Sequence, residues 1–394
     1  MALAGCSLFK PAPKAAPVVQ EVAAPKPVLP TPTATHYFTI DRDGDLVGYV
    51  QRVVVGKEDT LPDIARRFDV GYEEMVTANP GVDPWLPGVG REVVVPTQFV
   101  LPAASRVGVV VNVAEMRIYY YPPRKKDELQ TVYTYPIGIG KVGWNTPEGT
   151  TRIVARQKDP VWIVPKSVRD EHAADGDILP ATVPAGPDNP LGQYEFRLSW
   201  PSYLIHGTNK PYGVGMRSSH GCMRLYPEDI AMLFDLVPIG TRVTVVNQPY
   251  LFGWRDEVLY MQAYTALEDD SHGKFKDRKR LLASLVTLKV GGSGLRQSIV
   301  AHSDEIDWDR VAGLARTPRA IPVPVTGAVQ TGAVSTGADA QTAIDAVLAK
   351  SLLVENVLPE GSNWDGKTGL LVDEKTYNGL VGARDKPATQ AAVR

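Results

Sequence analysis

The chain has 394 residues, 44% of them hydrophobic, and a formal net charge of −2 at pH 7. This length allows two or three domains with a sizeable core. The near-neutral charge gives no support for a nucleic-acid partner or another polyanion. Two cysteines do not make a disulfide framework, and no run of about 18 apolar residues predicts a membrane-spanning helix.

The first residues contain Leu3-Ala4-Gly5-Cys6, which resembles a bacterial lipobox, the motif whose cysteine receives lipid. The basic start and apolar run of a signal peptide are not found before it in this sequence. Residues 7–35 are rich in Pro and Ala, which favours an extended tether. We therefore expect a tether over 1–35, with lipidation at Cys6 as one interpretation and an ordinary cytoplasmic N-terminus as the other.

A small unit of two strands and two helices is predicted over residues 36–102. The run "VQRVVV" (50–55) is typical of a strand. Thr60 is placed to cap a helix with Pro62 in its first turn, and a second helix is expected over Tyr72–Ala78. The run "REVVVP" then predicts a returning strand, which completes a βααβ order.

The same unit is similar to a LysM module through "DTLPDIARRF", "ANPGVD" and "LPG…VVVP". This resemblance implies binding to glycans that contain N-acetylglucosamine, chiefly peptidoglycan. Pro62 departs from the family pattern, which has an ordinary helix former there. A small α/β packing domain without a glycan ligand is the alternative.

Short β-like runs separated by Gly, Pro and Asp turns occupy residues 105–247, so this part is predicted to be mainly β. Its clearest helix is Pro227–Leu236, which has Pro and acidic residues in its first turn.

The remaining part, 248–394, has a weaker pattern and is expected to be a partly disordered extension. A charged helix is expected after Ala266, and the basic run Lys274–Arg280 is interpreted as a solvated face. Disorder is predicted over Thr317–Ala340 and a short helix over 341–350. No function is predicted for residues 265–394.

The stretch "SSHGCMRL" places Cys222 among residues that are poor material for a core. A thiolate is the nucleophilic form of cysteine, and nearby histidine or arginine lowers the thiol pKa. A nucleophilic cysteine also needs a base within hydrogen-bond reach. His206 and His220 are the candidates, and their spacing does not choose between them.

The longer stretch "HGTNKPYGVGMRSSHGCMRLYPEDI" is similar to the signature of L,D-transpeptidases of the YkuD type. The resemblance extends over about 140 residues and implies a mainly β catalytic domain, a sandwich or barrel. It also implies that Cys222 is the nucleophile and His206 the general acid and base. His220 would support the active site, and the backbone N–H groups of Gly221 and Cys222 would form part of an oxyanion hole.

The resemblance also implies a reaction with two acyl transfers and without a cofactor or metal. The cysteine attacks the carbonyl of meso-diaminopimelate in a peptidoglycan tetrapeptide stem, and D-Ala leaves. The acyl group then passes to another stem, to a lysine of an outer-membrane lipoprotein, or to water. The ending "VNQPYLFGW" resembles the periplasmic subgroup from Gram-negative bacteria, so we expect a periplasmic protein, membrane-anchored if Cys6 is lipidated.

Substrate contacts are predicted at a few positions around the cysteine. Arg217 and Arg224 are candidates for substrate carboxylates or for structural ion pairs. Many family members have Asn where this chain has Arg224. Further candidates for contact with substrate are Tyr212, Ser219, Trp162 and Tyr203, with core packing as the favoured alternative for each of the three aromatic residues.

Three alternatives remain at this point. His206, His220 and Cys222 supply the ligand types of a catalytic zinc site, although no HExxH or CxxC motif accompanies them. The enzyme could be a hydrolase that shares the acyl-enzyme. The chain could also be a non-catalytic scaffold that binds the cell wall through its LysM-like unit.

Overall fold

The structure is a computed structural model that describes residues 29–41, 44–270, 298–327 and 339–367. The lipobox-like Cys6 and the basic run 274–280 lie outside the described residues. No helix within the described ranges is long and apolar enough to cross a membrane.

The N-terminal part contains the predicted βααβ order. Thr60 caps the first helix, and Asp63 completes a capping box by accepting a hydrogen bond from the Thr60 backbone N–H. Pro62 lies in the first turn, where a missing N–H costs nothing. The elements of this part are β1 (Tyr37–Thr39), β2 (Leu46–Gly48), β3 (Gln51–Val54), α1 (Leu61–Arg67), α2 (Tyr72–Ala78), β4 (Glu92–Val95) and β5 (Gln98–Val100).

The central domain is mainly β, as predicted. Its strands are β6 (Gly108–Asn112), β7 (Arg117–Tyr121), β8 (Thr131–Pro136), β9 (Ile139–Gly140), β10 (Gly149–Lys158), β11 (Trp162–Ile163), β12 (Thr182–Val183), β13 (Tyr194–Leu198), β14 (Leu204–His206), β15 (Arg217–Ser219), β16 (Met223–Arg224) and β17 (Arg242–Val246). Its helices are α3 (Lys166–Ala174), a 3₁₀ turn (Pro211–Gly213) and α4 (Pro227–Leu236), the last as predicted.

The described elements after residue 247 are β18 (Tyr250–Arg255), β19 (Val258–Ala263), α5 (Trp308–Arg316), β20 (Pro322–Pro324), α6 (Ala340–Lys350) and β21 (Leu352–Leu353). The helix expected over 341–350 is confirmed as α6. The prediction of disorder over 317–340 is wrong for residues 317–327, because Ile321, Val323 and Val325 alternate with prolines and are buried beside β19.

One nine-stranded sheet organises the molecule, in the order β1-β8-β7-β6-β17-β10-β13-β14-β16. Its main core lies on one face, where β-branched and aromatic side chains pack against α4. Phe196, Ile205 and Met223 belong to this core and come from three adjacent strands. Their neighbours in sequence therefore point to the opposite face, because side chains alternate along a strand.

The N-terminal unit packs against the central domain through strand pairing and a buried ion pair. Strand β1 forms the edge of the large sheet by pairing with β8. Glu74 of α2 accepts hydrogen bonds of 3.0 and 2.9 Å from Arg117 of β7, and both side chains are buried. Gly71 also packs against Gly215, where the positive φ and the close backbone contact favour glycine.

The segment after α6 wraps around the same unit. Strand β21 pairs in parallel with β3, and Asn356 binds the backbone and side chains of the β3–α1 loop. Residues 31–35, which the composition assigned to the tether, lie beside residues 355–360 through backbone hydrogen bonds such as Ala34 N–H to Glu360 O, 2.8 Å. The two ends of the described chain thus meet on the N-terminal unit.

Candidate active site

Register places His206 beside Arg224 in the large sheet, and Cys222 lies two residues before Arg224. Strands β14 and β16 pair in parallel, with His206 opposite Arg224 and Ile205 opposite Met223. Ile205 and Met223 face the core, so His206 and Arg224 face the other side. Cys222 directly precedes β16, and the Arg224 charge acts on both Cys222 and His206. The predicted nucleophile and base therefore both lie near Arg224.

His206 is buried and its orientation is set by the backbone. Its Nδ1 lies 2.6 Å from the carbonyl oxygen of Gly207, so Nδ1–H donates and Nε2 remains the basic nitrogen. Burial, with a smaller contribution from the Arg224 charge, lowers the pKa of His206 to about 3. The resting imidazole is therefore neutral at pH 7.

The Cys222 thiol is half-buried, and its Sγ lies 3.6 Å from the Ser202 carbonyl oxygen. Burial raises the pKa of this thiol above its usual value, although the Leu204 backbone N–H and the Arg224 charge oppose the rise. The expectation that its neighbours lower the thiol pKa is wrong for the resting state, because desolvation outweighs them. The resting thiol is therefore protonated.

A tight turn precedes the cysteine. Gly221 has φ +101°, and a Cβ there would lie 2.9 Å from Tyr203 Cε1, so this position requires glycine. The Ser219 hydroxyl donates to Cys222 O at 2.6 Å and accepts from Gly221 N–H at 3.1 Å. Ser219 thus shapes the turn, and its predicted contact with substrate stays a prediction. The Gly221 N–H is engaged by Ser219 in this state, so its predicted oxyanion role requires a rearrangement of that hydrogen bond.

Arg224 is a cation whose charge acts on both members of the predicted pair. Its Nη1 donates to Ser218 O at 3.3 Å, whereas its Nε is buried and has no partner among the described residues. The Arg224 charge affects the pKa of both His206 and Cys222. A half-buried guanidinium without an ion pair among the described residues fits the prediction that it receives an anionic group of the substrate.

His220 has partners that the sequence did not suggest. Its Nε2 lies 2.6 Å from Glu171 of α3, and the other oxygen of Glu171 accepts from Lys141 Nζ at 2.6 Å. Trp144 contacts the His220 ring edge-to-face, with centroids 4.9 Å apart. Glu171 is separated from His220 by 49 residues, and it lies in a helix without a buried stripe, so no local pattern pointed to it.

The alternative zinc site is not formed. His206, His220 and Cys222 are all described, and the described residues contain no group of three or more His, Cys, Asp or Glu side chains that could hold a metal ion. The geometry favours cysteine and histidine chemistry at this face.

Comparisons with known proteins agree with this geometry. The L,D-transpeptidase catalytic domain of the YkuD type matches residues 106–245. The chain is 39% identical over 285 residues to the probable L,D-transpeptidase ErfK/SrfK of Salmonella typhimurium, which covers 71% of this chain and 88% of the relative. The chain belongs to the L,D-transpeptidase family. The resemblance stated from the sequence is thereby confirmed for the catalytic domain, and the LysM-like interpretation of the N-terminal unit stays a prediction.

Other L,D-transpeptidases share part of the chain. The probable L,D-transpeptidase YbiS of Escherichia coli is 43% identical over 216 residues, which are 54% of this chain and 69% of the relative. Among solved structures, the catalytic domain of the E. faecium L,D-transpeptidase has 22% identity and a TM-score of 0.27, with coverage of 36% of this chain and 96% of that chain. The family assignment rests on the sequence relatives.

The other residues predicted to contact substrate in this L,D-transpeptidase are held by contacts with different parts of the fold. Arg217 forms a two-pronged ion pair with Asp269, with both N···O distances 2.9 Å, which favours the structural interpretation. Tyr212 packs near Tyr72 of the N-terminal unit. Tyr203 lies against the Gly221 turn, and Trp162 belongs to the short β11–β12 ladder.

Proposed function

We propose that this L,D-transpeptidase acts on the tetrapeptide stems of peptidoglycan, with Cys222 as nucleophile and His206 as general acid and base. The observation that carries the proposal is the parallel pairing of β14 with β16, in which the neutral His206 lies opposite Arg224, two residues after Cys222. A cysteine with a positioned imidazole base is the arrangement needed for acyl transfer.

In the first half-reaction, Cys222 Sγ bonds to the carbonyl carbon of meso-diaminopimelate and the bond to D-Ala breaks. His206 accepts the thiol proton and donates it to the leaving amine. Because the thiol pKa is raised and the His206 pKa is lowered, a resting thiolate–imidazolium pair is unfavourable. The proton therefore moves to His206 as the sulfur attacks, so that the imidazolium forms while negative charge develops on the carbonyl oxygen.

In the second half-reaction, an amine attacks the thioester and the C–S bond breaks. His206 accepts the amine proton, and the sulfur recovers a proton. The amine belongs to a second stem or to a lysine of an outer-membrane lipoprotein, and water in its place would make the enzyme a hydrolase. The unpartnered Nε of Arg224 supports binding of a substrate carboxylate in both steps.

The N-terminal unit is proposed to bind peptidoglycan glycan in the manner of a LysM module, which supports a periplasmic location. Its βααβ order supports this role, and its α2–β4 loop exposes Leu86 and Val89 by 80% and 71%. Deleting residues 36–102 does not test the role cleanly, because that removes β1 and the Glu74 partner of Arg117. Leu86→Asp should instead weaken binding to isolated sacculi and leave Cys222 alkylation unchanged; unchanged sacculus binding would contradict the role.

The experiment that tests the proposed function is incubation with a disaccharide tetrapeptide, followed by mass spectrometry of protein and products. Cys222→Ala and His206→Ala serve as controls, with circular dichroism to confirm that both fold. We expect a cysteine adduct, released D-Ala and a crosslinked dimer, absent in both variants. Tripeptide alone would favour the hydrolase or a missing lipoprotein acceptor. No adduct and no turnover would favour the wall-binding scaffold.

A further inference from the structure

The segment between β10 and β13, residues 159–193, forms an arm at the active-site edge of the sheet. It contains the short ladder of β11 and β12 and the helix α3. Val168 is the one buried side chain of α3, and the helix lacks a side-chain N-cap. Apolar packing therefore holds α3 weakly, and its polar contacts with the active site matter more than they would for a helix with a buried stripe.

One side chain of α3, that of Glu171, contacts two segments near the turn that precedes Cys222. Glu171 Oε1 accepts from Lys141, which directly follows β9, and Oε2 accepts from His220, two residues before Cys222. These two segments are themselves adjacent, because β9 and β15 pair in parallel and Lys141 N–H donates to Ser219 O at 2.9 Å. The carboxylate thus joins three pieces of chain at one point.

We propose that Glu171 is a positioning residue, which fixes the orientation and tautomer of His220 and holds the arm beside the segment that carries Cys222. The proposal deepens the proposed function and rests on it. With Nε2–H donating to Glu171, His220 keeps Nδ1 as its acceptor nitrogen. Trp144 and His172 contact the same ring and limit its other orientations.

The charges around His220 indicate what the loss of this carboxylate would do. Burial lowers the pKa of His220, and the hydrogen bond to Glu171 opposes that effect. The other charged or titratable groups around the ring are Lys141, His172 and Arg224. Without Glu171, two cations would face His220 uncompensated, so its pKa would fall further and the ring would lose its hydrogen-bonded orientation.

The contribution of Glu171 to folding stability should be small. A positioning role then differs from a merely structural one, because the substitution affects activity more than stability. Lys141 and Glu171 keep 39% and 32% of their side-chain surface exposed, so solvent screens the pair. The same substitution should therefore affect turnover more than it affects the melting temperature.

The test uses the full-length protein and the variants Glu171→Gln and Asp170→Asn. Asp170 is the adjacent residue of α3 and pairs with the exposed Lys166, so it is a matched control. We expect Glu171→Gln to lower the rate of D-Ala release, measured as kcat/KM, by about tenfold, the value of one hydrogen bond to a charged group. The loss should appear in kcat and change the pH profile, and Asp170→Asn should stay within about twofold of wild type.

Three outcomes would overturn the proposal. These are a wild-type kcat and pH profile in Glu171→Gln, a loss in that variant confined to a lower melting temperature, and an equal loss of activity in Asp170→Asn. Glu171→Asp, whose shorter side chain keeps the charge, should restore part of the activity if the charge matters. If wild-type protein releases no D-Ala, the proposed function has failed instead, and the alkylation rates of Cys222 in wild type and Glu171→Gln still report whether the arm is held.

Discussion

Glu74 and Glu171 each bridge the catalytic domain to a neighbouring piece of chain, but their surroundings differ. Glu74 binds Arg117 where the two side chains are 2% and 0% exposed. Burial works to lower the pKa of Arg117, but the charge and hydrogen bonds of Glu74, with smaller contributions from Tyr119 and Glu115, together raise it above its usual value. Glu171 binds Lys141 and His220 at a half-exposed edge. The same chemistry therefore holds the fold together in one place and orients an active-site ring in the other.

The largest expected loss of folding stability is at the buried pair of Glu74 and Arg117. Glu74→Gln leaves the Arg117 charge buried without its carboxylate, so the free energy of unfolding should fall by about 3–5 kcal/mol. Chemical denaturation followed by circular dichroism measures it. Glu128→Gln is the control, because its pair with Lys125 is exposed and should change stability by less than about 1 kcal/mol. Equal losses of unfolding free energy in Glu74→Gln and Glu128→Gln would contradict the expected difference between buried and exposed pairs.

A smaller loss is expected at a second pair between the N-terminal unit and the catalytic domain. Arg66 and Glu228 are 6% and 8% exposed and form two hydrogen bonds of 2.9 and 3.0 Å. Glu228→Gln keeps the shape of the side chain and removes its charge, so about 1.5–3 kcal/mol should be lost. The same denaturation experiment measures this loss. A loss larger than that of Glu74→Gln would show that the contributions of these ion pairs to stability do not rank by burial.

A pH experiment extends the comparison to a buried group that has no ionic partner of opposite charge. The His206 pKa is about 3 in the folded protein and about 6.5 when unfolded. The unfolded state binds the extra proton between these values, so His206 favours folding above pH 6.5 and this contribution is lost as pH falls. The slope is at most about 1.4 kcal/mol per pH unit. His206→Asn should flatten the stability curve between pH 6.5 and 4; parallel curves would contradict the burial of a neutral ring.

The smallest stability effect is expected at the exposed edge. Lys141→Met removes one of the two donors to Glu171 and should lower the free energy of unfolding by less than about 1 kcal/mol. Its Tm should therefore lie close to that of wild type in a thermal melt. A loss as large as that of Glu74→Gln would mean that the arm is part of the cooperative fold.

Local signals were sufficient to predict much of the fold. Thr60 and Pro62 predicted the start of α1, and the Pro and acidic residues of the first turn predicted α4. The cysteine and histidine of the site were also predictable, because they lie within one short stretch around the loop 207–216. Pairings between distant segments were not, since β21 joins β3 across about 300 residues and Glu171 reaches His220 from an exposed helix.

Residues 31–35 lie beside residues 355–360. The elements of the chain could therefore be connected in a different order. Because these two segments already lie side by side, a short linker between them would need little reach. The β7–β8 hairpin at residues 122–130, whose tip is exposed, offers a place to open new ends far along the chain from Cys222. A circular permutant of this kind would keep every strand of the large sheet and would begin and end on the catalytic domain.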